Sequence, residues 1–259
     1  MKIGVRLESL GVPVRKGLAE AERFGVRGVQ VDAAGDLAPD RLTATGRRAF
    51  RHLLRGHGLE LTALGCPLRH GFDTPENLQP RIEHVRKVMT LAFELGTRVV
   101  VVEAGRISDK PDDPRAALLT ESLLALGQHG DRVGAVLAVE TGAESGNALR
   151  QFLDGLDPGG LGVNYDPANL LMNRFDPLAE LPPLSGRIVH AHAKDARRGG
   201  ASRSAQEVPL GHGDIDWLQV VGTLSAQDYR GYLTVEREVG TNRAADVAAG
   251  VVFLRRLVG

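Results

Sequence analysis

Short runs of β-branched and apolar residues alternate with longer segments whose apolar positions recur at helical spacing, from one end of the chain to the other. Strands are predicted at KIGVRL near residue 2, GVQVDA near 28, LELTALGC near 59 and RVVVVEAG near 98. Four more are predicted at GAVLAVETG near 134, GLGVNYDP near 160, RIVHAHAKD near 187 and GYLTVERE near 231. Between them, NLQPRIEHVRKVMTLAFELG sets Ile82, Val85, Met89 and Phe93 at helical spacing and stops at Gly96, as a helix C-terminus does. ADVAAGVVFLRRLV predicts a closing helix. Eight strands alternating with about eight helices in about 250 residues predict an α/β fold, a single (β/α)8 barrel over residues 1–259. A doubly wound open sheet competes, but no G-x-G-x-x-G follows the first strand, so its dinucleotide-binding form has no support. The stretch ARRGGASRSAQEVPLGHG (196–213) is polar, glycine-rich and aperiodic. It predicts a long loop after the seventh strand, where a barrel carries its active site, serving either as a lid or merely as a mobile segment.

Charge and composition narrow the function classes. With 32 Lys+Arg against 32 Asp+Glu the formal charge is zero, which argues against a broad field for holding nucleic acid or anionic lipid. One Trp, three Tyr and seven Phe leave little for stacking on single-stranded nucleic acid. The 32 glycines are spread along the chain, punctuating many short elements rather than forming a linker. A lone cysteine, Cys66, excludes an internal disulfide and a cysteine-cluster metal site. The opening MKIGVRLESLG has neither an apolar h-region nor a cleavage site. A reducing, cytoplasmic setting with no membrane partner is expected.

Parallel strands are covered on both faces, so polar side chains near their C-terminal ends need a reason. Glu140 closes AVLAVETG, and Asn164 and Asp166 stand in LGVNYDP. Period-two alternation puts His190, His192 and Lys194 on one face of RIVHAHAKD, and Tyr232, Thr234, Glu236 and Glu238 on one face of YLTVERE. The first half adds Arg6, Glu8, Gln30, Asp32 and Glu103. Four consecutive strands thus end in Glu, Asp, His and Glu on one rim. Carboxylates crowded there repel one another unless a cation neutralises them. One imidazole with three carboxylates suits one divalent metal ion, Mn²⁺, Mg²⁺, Co²⁺ or Zn²⁺, which can polarise a substrate carbonyl. For each residue alone the alternative is a salt bridge, a helix cap or a satisfied core histidine. Asp32 reads best as an arginine's partner or the cap of the next helix, and His190 is left outside the metal shell.

These motifs resemble the xylose isomerase-like TIM-barrel superfamily of sugar (phosphate) isomerases and epimerases, which includes ketose 3-epimerases, hydroxypyruvate isomerases and inosose dehydratases. The resemblance covers most of the chain. It rests on VETG with Glu140, NYDPANL with Asp166, HAHAKD with His192, Lys194 and Asp195, PLGHGDIDW from Pro209 to Trp217, and LTVERE with Glu236. It implies a single metal held by Glu140, Asp166, His192 and Glu236. It also implies that Glu140 and Glu236 are the catalytic pair, moving a proton on opposite faces of a sugar around a metal-stabilised cis-enediolate. The implied activity is that of a metal-dependent isomerase or epimerase of a small sugar, keto-sugar or polyol-derived substrate. An inosose-type dehydratase on the same site is the alternative.

Substrate contacts are expected from Asn169, Lys194, Arg198, Arg6 and Glu103. The chain departs from the epimerase pattern twice. Those enzymes carry D-x-x-H after the sixth strand, whereas Asn169 stands here, a side chain that bonds a hydroxyl but cannot exchange a proton. HAKD replaces their glycine- and glutamate-containing segment. Lys194 is then a cation for a carboxylate or phosphate, a proton donor as in the dehydratase branch, or an ion-pair partner of Asp195 or Glu236. Arg69, His70, Arg106, Arg197 and Arg198 are candidates to meet an anionic group, with solvent the better reading for most. A three-zinc apurinic-site endonuclease would draw on His70, His190 and His212, but the spacing is incomplete and the basic excess is missing. A sugar-binding barrel without turnover is a further rival. No nucleic-acid partner is expected, and a homo-oligomer is left open.

Overall fold

The computed structural model describes residues 1–108, 113–156, 158–200 and 204–259. Seven parallel strands come first: β1 (Lys2–Arg6), β2 (Gly28–Asp32), β3 (Glu60–Gly65), β4 (Val99–Val102), β5 (Val136–Glu140), β6 (Leu161–Tyr165) and β7 (Ile188–Ala193). A short antiparallel ribbon follows, β8 (Asp195–Arg197) with β9 (Gln206–Val208), and then β10 (Tyr232–Val235). The seven strands and β10 close into one barrel. Pairing of β1 with β10, from Lys2↔Tyr232 to Val5↔Val235, excludes the open sheet. Every predicted strand falls on one of these eight.

The barrel is wrapped by α1 (Val14–Arg23), α2 (Ala44–Gly56), α3 (Leu78–Leu95), α4 (Pro114–Val133) and α5 (Gly146–Leu156), then α6 (Pro167–Met172), α7 (Pro177–Glu180), α8 (Trp217–Ala226) and α9 (Arg243–Val258). The β6–β7 crossover thus carries two short helices instead of one. In α3, Ile82, Val85 and Met89 are buried as expected, but Phe93 is 52% exposed. Val85, Val88, Ala92 and Leu95 centre the buried arc, and Phe93 falls at its edge, covering Gly134 instead. None of the described helices is long and apolar enough to cross a membrane.

Inside the barrel, alternation stacks the inward side chains in layers. Ala63, Val101 and Ala138 form a small apolar layer, and Gln30, Asn164, His190 and Thr234 are buried polar groups. Two residues further along their strands come Asp32, Asp166, His192 and Glu236, so the C-terminal rim collects the charge. The predicted aperiodic stretch 196–213 is corrected in part, because its flanks pair as the ribbon, Ala196↔Glu207 and Arg197↔Gln206. Residues 201–203 lie outside the described residues.

One carboxylate organises that region. Asp195 accepts the backbone N–H groups of Ala196, Gly211 and Gly213 at 2.8, 2.9 and 3.1 Å. A Cβ on Gly213 would lie 2.0 Å from Asp195 Oδ1 and 2.4 Å from the Ala196 carbonyl, so only glycine fits. Asp216 then caps α8 by accepting the Gln219 N–H. The K-D and P-L-G-H-G-D-I-D-W motifs are therefore one folded unit, and Asp195 does not pair with Lys194.

Candidate functional site

Asp166 both ends β6 and starts α6. With Pro167 at the first helical position, it serves as the N-cap, its Oδ1 accepting the Asn169 backbone N–H at 2.9 Å. Thr141, next to Glu140, locks this corner: its Oγ1 accepts the Asp166 N–H at 2.8 Å and donates to the Asp166 carbonyl at 3.1 Å. A Cβ on Gly142 would sit 2.8 Å from the Asn169 Cβ. E-T-G and D-P-A-N thus pack as one joint, and Asp166 Oδ2 is left free of the cap.

That second oxygen belongs to a cluster. One ligand atom from each of Glu140, Asp166, His192 and Glu236 lies within 4.8 Å of all the others. His192 Nδ1 faces Glu236 Oε2 at 2.9 Å, Glu140 Oε1 at 3.4 Å and Asp166 Oδ2 at 3.6 Å. Asp166 Oδ2 and Glu236 Oε2 are buried without a hydrogen bond of acceptable geometry, although Lys194 Nζ approaches them at 3.1 and 3.4 Å. Glu236 Oε1 is taken by Arg6, which also forks onto Asp32 at 3.1 and 3.2 Å.

The charges do not balance locally. Within 4 Å of Arg6, Lys194 and His192 stand six carboxylates, those of Glu8, Asp32, Glu140, Asp166, Glu236 and Glu238. Only Arg6 and Lys194 are permanent cations. A carboxylate pair about 4 Å apart repels by roughly 4 kcal/mol at an effective dielectric of about 20. Buried oxygens short of hydrogen bonds, surplus negative charge and a mixed oxygen/nitrogen donor set all fit a divalent cation held by these four side chains.

The carboxyls respond unequally. Burial, reinforced by Asp166 and Glu236, pushes Glu140 up to about 7 against the pull of His192. For Glu236 burial works the same way, but His192, Lys194 and Arg6 overrule it and hold the group well below the usual range. Asp166 is likewise lowered, by Lys194 and His192 against burial. Burial opposes the charged forms of His192 and Lys194, yet the surrounding carboxylates raise both well above their ordinary values.

Glu140 is also the more open of the two glutamates. It lines a cavity of about 220 Å³ with Arg6, Asp32, Cys66, Glu103 and His192, and an adjoining one of about 380 Å³ with Glu103, Arg106 and Asn169. Shared by both, Glu140 and Glu103 join them into one cleft. The Glu236 side chain is 1% exposed and sits beneath Arg6 and Lys194.

The other expected contacts divide. Asn169 is in place, donating its amide to Glu140 Oε1 at 2.8 Å. Glu103 is exposed on the cleft wall. Lys194 lies against Asp166, Glu236 and Glu238 rather than in the cleft, and Arg6 is engaged with carboxylates. Arg198 is not brought to the cluster. It is exposed, its backbone N–H is held by Asp214, and it lines a separate hollow with Leu171, Arg174 and Phe175, because the ribbon carries it outward. Arg69, His70, Arg106, Arg197 and His212 are exposed. His190 is buried between Asn164 and Thr234, and among the described residues no second group of metal-type ligands accompanies it. Sequence reasoning named Gln30 only among the polar strand positions and gave it no partner; its Oε1 lies 2.9 Å from His192 Nε2. It passed over Glu207, which receives Arg237 and the backbone N–H of Glu238. The period-two step from Asp32 back to Gln30 was the one available signal.

A family model described as xylose isomerase-like TIM barrel matches residues 18–257. The chain belongs to this family. A xylose isomerase domain protein from Planctomyces limnophilus, solved by crystallography, is similar to this xylose isomerase-like barrel over 99% of the chain and 96% of its own length, with 26% identity and a TM-score of 0.88. Two curated inosose dehydratases also match. The one from Lactiplantibacillus plantarum is 27% identical over 117 residues, 40% of this chain and 39% of that protein. The one from Bacillus velezensis is 31% identical over 112 residues, 38% of this chain and 37% of that protein. These two matches span about two fifths of each relative's length.

Proposed function

We propose that this xylose isomerase-like barrel is a divalent-metal-dependent enzyme that moves a proton at the carbon next to the carbonyl of a small keto-sugar or keto-polyol. The observation that carries this reading is the four-residue cluster at the base of a cleft, in which two buried carboxylate oxygens make no hydrogen bond of acceptable geometry. Glu140, Asp166, His192 and Glu236 would hold the ion. The chemistry it supplies when bound is positive charge for the substrate oxygen that gains electrons as the proton leaves.

Glu140 is the group placed to take that proton, because it faces the cleft while Glu236 lies below it. Glu236 is the candidate for the opposite face of the substrate, with its second oxygen fixed by Arg6. Asn169 orients Glu140 and can bond a substrate hydroxyl. Isomerisation, epimerisation and dehydration of a polyhydroxylated ketone share this first proton transfer. Loss of water is favoured over 3-epimerisation by Asn169, which cannot relay a proton, while Lys194 is held as a cation by Asp166, Glu236 and Glu238. The similarity to two inosose dehydratases points the same way.

The test is incubation with Mn²⁺ and a panel of ketoses and inososes in deuterated solvent, read by mass. Deuterium gain at constant formula marks an isomerase or epimerase; loss of one water marks the dehydratase. Both should vanish in Glu140→Gln with the fold intact. Wild-type exchange in Glu140→Gln and in Glu236→Gln would refute the assignment.

A further inference from the structure

We infer that Gln30 fixes the tautomer of His192, so that Nδ1 and not Nε2 is offered to a cation. Gln30 is thus a positioning residue for the metal centre, a role that rests on the metal reading above. All three cluster carboxylates lie on the Nδ1 side of the imidazole, at 2.9, 3.4 and 3.6 Å. For Nδ1 to be a ligand its lone pair must be free, so the ring hydrogen has to sit on Nε2. His192 is 1% exposed, so that N–H cannot find solvent. It meets Gln30 Oε1 at 2.9 Å, and a carbonyl oxygen only accepts. Gln30 is itself 1% exposed.

The layer below runs in the same sense. Thr234 Oγ1 donates to His190 Nε2 at 3.0 Å, and His190 Nδ1 donates to Asn164 Oδ1 at 2.8 Å. Asn164 Nδ2 also approaches His192 Nδ1 at 3.1 Å, a contact consistent with an unprotonated Nδ1 and one that a bound cation would displace. Each member is buried and each spends its groups in one direction. The strand pairing is irregular at two places, with Thr62 and Val189 as the extra residues on the partner strands. The β2–β3 register shifts between Val29 and Gln30, and the β6–β7 register between Val163 and Asn164. Such irregularities change which residues of neighbouring strands stand side by side, and here they lie opposite the two residues whose amides meet the same imidazole.

A metal-bound histidine whose outer hydrogen bond is removed loses about 10- to 100-fold in metal affinity. Zn²⁺ is the probe, titrated in competition with a chromophoric chelator, alongside ¹⁵N-histidine spectra of the Zn²⁺-loaded protein. Wild type should bind with His192 protonated at Nε2 and metal-shifted at Nδ1. Gln30→Met keeps the shape without an acceptor and should weaken binding by about 10- to 100-fold. Gln30→Glu keeps an acceptor and should stay within a few-fold of wild type. Binding by Gln30→Met as tight as wild type, or a metal shift at Nε2, overturns the role of Gln30 while leaving the centre standing. If wild type binds no Zn²⁺, the centre itself fails and this role falls with it. Should Gln30→Met not fold, the wild-type spectrum and the Gln30→Glu titration still decide.

Discussion

Asn169 donates its side-chain amide to Glu140 Oε1 across 2.8 Å, and its own backbone N–H is held by Asp166. One residue therefore ties together two members of the cluster from neighbouring strands. Asn169→Ala should cost about 1–2 kcal/mol in urea denaturation, the worth of a hydrogen bond to a charged acceptor in a half-buried setting. Asn169→Asp should be less stable still without metal, because a carboxylate then faces Glu140 directly, and Mn²⁺ should restore more stability to it than to wild type. A metal-free Asn169→Asp protein as stable as wild type would contradict this.

Divalent ions should stabilise the protein through the cluster. At about 100 times the dissociation constant, linkage supplies about 2.7 kcal/mol, seen as a rise in melting temperature on adding Mn²⁺ that EDTA abolishes. Asp166→Asn separates two roles. Asparagine still caps α6 but gives up the buried ion pair with Lys194, so metal-free stability should fall somewhat, and the Mn²⁺ increment should shrink as well. An undiminished increment would remove Asp166 from the ligand set.

Gly213→Ala should destabilise the ribbon region by about 2–3 kcal/mol, as overpacking does, because the new methyl would meet Asp195 and the Ala196 carbonyl. Limited proteolysis should show faster cleavage within 196–213. Cleavage at the wild-type rate would mean that the Asp195 hook does not hold this segment.

Glu144 supplies a pH signature away from the metal ligands. It is 9% exposed, and burial lifts its carboxyl from an ordinary 4.5 to about 7, only partly opposed by the Ile107 N–H and Arg106. Between those values the native state keeps the proton that the unfolded chain has lost. Stability from this group is therefore full below about 4.5, falls as pH rises toward about 7, and is level above that. Glu144→Gln should flatten the decline and gain about 3 kcal/mol at pH 8 relative to wild type, since each pH unit between the two values is worth about 1.4 kcal/mol. Equal stability curves for both proteins would show that the carboxyl is not buried in this way.

The eight strands, the closed barrel and the crowding of Glu140, Asp166, His192 and Glu236 on one rim were legible in the chain. Period-two alternation and the direction of parallel strands are local properties, and every strand of a barrel delivers its last inward residue to the same end. Even the alternative reading of Asp166 as a helix cap was sound, since it caps with one oxygen and faces the cluster with the other. Four features were beyond the reach of sequence. Arg6 clasps Glu236 across 230 residues, and Gln30 meets His192 across 162. Arg198 swings away on a ribbon, and Lys194 reaches Asp166 as well as the expected Glu236, but not its neighbour Asp195. Each depends on barrel closure, on two one-residue register shifts, or on which backbone N–H groups reach a carboxylate first. Such long-range matters of geometry leave no periodic trace in the order of residues.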